Sequence, residues 1–127
     1  MLIEGIFVSL RPACRTIGLD EIRFLREDES FVICPDAGGG IEAGMHGHLG
    51  PNGSRGSPLP LSRIGRKANT AHTHSSGIYD GLYVGGTKSR LDVGWNAGPT
   101  SWSHSDVVTY ETGKRAIITT RNGKWRA

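Results

Sequence analysis

The sequence predicts an α/β fold that is rich in β-strands, with few and short helices. Three observations predict it. The chain of 127 residues carries 19 glycines and only 36% hydrophobic residues, a balance that calls for many turns and little long helix. Its tail is built of β-branched runs separated by turn dipeptides. Its one clear helix signal, "SPLPLSRIG", is nine residues long. At this length the chain forms at most one domain.

Taken in order, "IEGIFVSL" reads as a strand. The segment "LDEIRFL" places Leu19, Ile22 and Leu25 or Phe24 at helical spacing, though a strand ending in a charged loop fits as well. "SFVIC" (30–34) is a strand between charged residues and the turn-rich "PDAGGG". "IEAGMH" (41–46) is the next strand, delivering its last residues to the glycine-rich loop "GHLGPNGSRGSP". In "SPLPLSRIG", Ser57 is the expected N-cap and Pro58 the first helical residue. Leu59, Leu61 and Ile64 form the apolar face, and Gly65 closes the helix. "KANTA", "LYVGG" and "RLDVGW" are further strand candidates. The tail reads as "DVVTYE", a turn at Thr112-Gly113, "RAIITTR", a turn at Asn122-Gly123, and "KWRA". Trp95, Trp102 and Trp125 are read as core or sheet-face residues, His104 as structural, and Asp80 as a turn residue.

Charge and cysteine content narrow the class. Fifteen Lys and Arg against twelve Asp and Glu give a net charge of +3, a mild basic bias compatible with a phosphate-bearing ligand. Cys14 and Cys34 form no metal-binding or redox spacing, which suits a reducing cytoplasm. The apolar start lacks a basic leader and is cut short by Arg11-Pro12, so it reads as a strand and not as a signal peptide. No run approaches the ~18 apolar residues of a membrane span.

Chemistry concentrates in histidine. Four of the five form two His-x-His pairs, His46/His48 and His72/His74, each following a strand candidate and flanked by small residues. On an extended chain alternate residues point the same way, so both rings of a pair can face one cavity. Neutral imidazole is a common ligand for zinc, manganese and iron. The other reading is polar loop histidines; the repetition of the pattern favours metal. Asn52 and Arg55 in the glycine-rich loop are candidate phosphate contacts, against a plain turn. Arg63, Arg66 and Lys67 read as a solvated helix end more readily than as a nucleic-acid track.

At these residues the chain resembles a known family. "GMHGHLGPNGSRGSPLPLSRIG", "AHTHSSGIYDGLYVGGT" and "NAGPTSWSHSDVVTYETGKRAI" look like the C-terminal half of calcineurin-like metallophosphoesterases, and more narrowly of their bacteriophage members. The resemblance runs from about residue 23 to the end, leaving residues 1–22 poorly matched. It implies one half of a double β-sandwich carrying a two-metal site at the strand ends. His46 and His72 would bind one divalent ion (Mn, Zn or Fe) and His74 the other, with His48 beside them or on the phosphate. Ala71 stands where the family's last motif has Gly. The family's earlier Asp-x-His, Gly-Asp-x-x-Asp and Gly-Asn-His motifs are absent, and Asp20, Asp28 and Asp36 reproduce none of their spacings.

Those missing carboxylates matter, because two cations held about 3.5–4 Å apart need shared anionic ligands. Three imidazoles suffice for one ion. The expectation is therefore the C-terminal part of a phosphoester hydrolase, acting on nucleic acid, nucleotide or another phosphoester. It is expected to be inactive alone and to be completed by a separate polypeptide carrying the N-terminal half. A half-sandwich would leave a sheet edge open to that partner or to a second copy of the chain. The alternatives are a non-catalytic fragment that binds metal or a partner, and a metalloprotease of the JAMM type using His72, His74 and the Ser-x-x-Asp of Ser103 to Asp106. The expected location is the cytoplasm, that of the host cell if the gene belongs to a phage, with no membrane partner.

Overall fold

The computed structural model describes residues 23–27 and 29–126. The strand expected in the first ten residues, the spacing at Leu19 and Ile22, and Cys14 lie outside them. Phe24 and Leu25 lie in irregular chain, and Cys34 is a free thiol.

The described chain is β-rich, as its composition demands. Strands β1 (Val32–Ile33), β2 (Ile41–Glu42), β3 (Ala68–Thr70), β4 (Gly77–Tyr79) and β5 (Leu82–Val84) form one sheet in the order β1-β2-β3-β5-β4. Its centre is parallel, with β3 between β2 and β5, and both edges are antiparallel. The helix α1 (Pro58–Ser62) lies in the β2–β3 connection, where a parallel crossover requires a long link. Ser57 is its N-cap, with Pro58 in the first turn. The cap acts through the Ser57 carbonyl, which accepts the Leu61 N–H, and not through the hydroxyl.

The second sheet is an antiparallel meander of β6 (His104–Thr109), β7 (Arg115–Arg121) and β8 (Lys124–Arg126). Both of its turns fall where "TG" and "NG" put them. Asn122 and Gly123 have φ of 50° and 73°, the left-handed pair that matches hairpin twist. The two sheets are stitched together beyond β5. The Gly86 and Thr87 N–H groups donate to the carbonyls of Ser105 and Ser103.

Three local expectations change. "RLDVGW" is not a strand: the Asp92 carboxylate accepts the Gly94 N–H and the Asn96 amide oxygen accepts the Val93 N–H. These side-chain bonds take the donors that a ladder would need. The strand at "IEAGMH" stops after Glu42, whose carboxylate accepts the N–H groups of Phe31 and Gly44. Strand β4 is an element the sequence reading leaves out, although Asp80-Gly81 between "GIY" and "LYV" is a strong hairpin signal; both residues have positive φ.

The core is small. Ile41, Leu61, Ala68, Leu82 and Val84 are buried, and Met45 and Tyr79 pack against the last four. Alternate residues of β3 and β5 face this cluster under α1. In the second sheet Ser105 is buried while the aliphatic residues of β6 and β7 remain half-buried.

Candidate metal centre

Strands β2 and β3 are adjacent and parallel, so their carboxyl ends lie at the same edge of the sheet, where ligands bind in open α/β sheets. The chain leaving β2 reaches His46 four residues on, and the chain leaving β3 reaches His72 two residues on. The two rings meet there. His72 Nδ1 lies 3.0 Å from His46 Nε2, with ring centroids 4.9 Å apart and nearly perpendicular. With both rings neutral, one N–H donates to the other's lone pair. Two imidazole nitrogens sharing a tetrahedral ion at about 2.0–2.1 Å would stand about 3.3 Å apart, so this separation suits a pair of ligands.

His48 completes a trio, its ring centroid 5.4 Å from that of His46 and 6.1 Å from that of His72. Its Nε2 contacts the Glu27 carboxylate at 2.9 Å. Its Nδ1 is buried and bonds to no atom of the described chain, whereas buried polar atoms normally take a partner. His74 is turned elsewhere, edge-on to Trp102 with centroids 4.5 Å apart.

Neither His-x-His pair is extended: His46 and His48 meet through a bend, whereas His72 and His74 part. Gly47 has φ of 99°, so the chain bends between His46 and His48. After Thr70 the chain turns, with the His74 N–H bonded to the Ala71 carbonyl and His74 itself at φ 59°. The alternation expected of a strand ends at Thr70, two residues before His72. Ala71 is not in the left-handed region, so a side chain is accommodated there without backbone strain. Among the described residues no group of three or more His, Cys, Asp or Glu is arranged to hold a metal ion. The closest approach of potential donors is the pair His46 and His72, with no carboxylate between them.

Electrostatics favour the neutral form of His72. Burial pushes its pKa below the ordinary value, and the neighbouring His46, His48, His74 and Arg55 add to the effect. Arg55 therefore belongs to the surroundings of the cluster, although its side chain is exposed. It is carried there by a loop closed by the Gly56 N–H on the His48 carbonyl and by the Leu49–Arg55 bridge. Asn52 sits at the loop tip, exposed and left-handed at φ 58°.

Four residues before His46, at the end of β2, stands Glu42, a residue that spacing did not single out. It is 3% exposed. Burial raises its pKa, but bonds from the Ser30 hydroxyl, the Phe31 N–H and the Gly44 N–H, with Arg66 nearby, outweigh burial and hold the carboxyl below its ordinary value. It fixes the chain between β2 and His46. Beside His46 opens a cleft of about 390 Å³ whose lining includes Thr70, Gly86, Lys88 and Asp106. Lys88 and Asp106 are paired at 2.5 Å. Nothing in the spacing of these residues announced that they share a cleft with His46.

The chain is similar to protein A1 of Escherichia phage T5, with 46% identity over 104 residues. The match covers 82% of this chain and 18% of that protein, so the chain spans less than a fifth of the relative's length. No protein-family profile and no solved structure matches the chain. The comparison ties the chain to one segment of a much longer phage protein.

Proposed function

We propose that this chain is the C-terminal part of a metal-dependent phosphoesterase of the calcineurin-like type, encoded by a phage. One observation carries the reading: His46 and His72, twenty-six residues apart, are juxtaposed at 3.0 Å at the carboxyl ends of adjacent parallel strands. The unpartnered Nδ1 of His48 beside them adds a third donor without a role. The β-rich sheets and the strand-to-loop placement of the histidines agree with the family resemblance, and the similarity to a segment of a longer phage protein agrees with a part of a larger whole.

In this reading a divalent ion bound at the cluster would supply Lewis acidity toward a phosphoester and lower the pKa of a water. His46 and His72 would hold it, joined by His48 or, after rotation off Trp102, by His74. Arg55 and the loop around Asn52 would contact the phosphate. The carboxylate ligands would come from a separate polypeptide, which would also cover the half-buried aliphatic side chains of β6 and β7.

Two measurements test the reading. Metal content of the purified chain, by inductively coupled plasma mass spectrometry after incubation with Mn²⁺ or Zn²⁺, should fall in His46→Ala and His72→Ala. Unchanged content in both would remove the proposal. Hydrolysis of bis(p-nitrophenyl) phosphate with Mn²⁺ should be absent for the chain alone and appear on mixing with the polypeptide encoded immediately upstream. The non-catalytic reading predicts metal binding and no activity in either arm.

A further inference from the structure

We infer that Trp95, Trp102 and the cavity beside them form a base-stacking site for single-stranded nucleic acid. The inference rests on the phosphoesterase reading only for its biological use; the binding chemistry stands on its own residues.

Trp95 is the most exposed of the large hydrophobic side chains among the described residues, at 77%. Its ring lies edge-to-face with Trp102, centroids 5.3 Å apart, and Trp102 in turn meets His74. The aromatic row therefore runs from open surface to the margin of the histidine cluster. The turn bearing Trp95 is braced on both sides, by Asp92 on the Gly94 N–H and by Asn96 on the Val93 N–H and the Leu91 carbonyl. An indole held out on a braced turn is preorganised for a planar partner, and aromatic stacking is how single strands are gripped without sequence preference.

Next to Trp102 lies a cavity of about 600 Å³. Thr120 supplies a hydroxyl, Arg121 a cation and His104 an imidazole whose Nε2 contacts the Ser89 carbonyl, while the Ser103 and Thr119 hydroxyls are bonded to Ser76 and Ser105. Among the described residues no carboxylate lines it. An aromatic wall, a hydroxyl and a guanidinium with no carboxylate beside it match a nucleobase with its phosphate better than an apolar protein surface.

The test uses the full chain in EDTA, so that metal binding plays no part. Its probes are a short oligothymidylate and an abasic oligomer with the same number of phosphates. Fluorescence anisotropy should show oligothymidylate binding about tenfold more tightly, with quenching of tryptophan emission. Trp95→Ala, at an exposed position that does not threaten folding, should abolish that advantage while leaving abasic binding in place, and Trp95→Phe should retain part of it. Arg121→Ala should weaken both oligomers. Because binding is read in EDTA, loss of the metal reading would not be mistaken for loss of this one. Equal binding of the two oligomers, or a Trp95→Ala chain that still discriminates, would overturn the inference. So would quenching by the upstream polypeptide but not by oligothymidylate, which would make the row a protein contact.

Discussion

At the scale of single residues, His72 and Glu42 both have depressed pKa values for different reasons: burial disfavours the imidazolium, and hydrogen bonds hold the carboxylate against burial. A histidine whose pKa is depressed on folding resists protonation, so the unfolded chain takes up more protons as acidity rises. Its contribution to stability is complete above its ordinary value of 6.5 and declines as pH falls below it. Urea unfolding followed by circular dichroism should show this decline, and His72→Asn should flatten it. Glu42 is also depressed, so its contribution is complete above 4.5 and is lost on further acidification. Replacing it by Ala leaves the Phe31 and Gly44 N–H groups without an acceptor, which should cost about 2–4 kcal/mol. Gln, whose amide oxygen can still accept both bonds, should cost less than half of that. A thermal melt of the two variants decides between an anchoring carboxylate and a merely buried one.

Among elements, the glycine-rich loop between β2 and α1 is the one whose shape serves the site. A Cβ on Gly56 would lie 2.0 Å from the Gly47 carbonyl oxygen, so the loop can close on His48 only with glycine at that position. Gly56→Ala should destabilise the chain by more than about 2 kcal/mol and displace His48. By contrast, Gly123 has open space around it, and Ala there should cost only the about 1 kcal/mol of a left-handed backbone. Comparing the two variants by chemical denaturation separates steric closure from turn conformation; equal losses would contradict the close approach. The C-terminal hairpins were legible because β-branched runs and turn dipeptides act locally. The shape of "RLDVGW" was not, since whether Asp92 and Asn96 capture backbone donors or stay in solvent depends on the turn they help to make.

For the whole molecule, Arg115 joins the two sheets. From β7 it donates to the carbonyls of Ala68 and Gly81 and to the Asn69 side chain, with its guanidinium 4.0 Å from the centre of the Tyr83 ring. Burial lowers its pKa from the ordinary value while Tyr83 acts the other way. With no carboxylate in this set of contacts, backbone carbonyls and an aromatic face provide the counter-dipoles. Arg115→Ala should destabilise the fold by about 3 kcal/mol. Arg115→Lys should recover only part of that, because an ammonium cannot span three acceptors from one plane. Full recovery by Lys, read from urea unfolding, would show that charge alone suffices.

The sequence by itself determined the strand-rich character, the meander at the C-terminal end, the helix start at Ser57-Pro58 and the identity of the histidines worth watching. These follow from residue-level propensities and turn chemistry that operate over a few neighbours. Only the tertiary structure decided which histidines meet. Parallel pairing of β2 with β3 brings His46 to His72, a bend at Gly47 admits His48, and a left-handed turn sends His74 to Trp102. Pattern arguments assume that the chain stays extended through each His-x-His pair. Long-range pairing sets where a strand ends, and side chains beyond that point go where the loop backbone, not the periodicity, directs them.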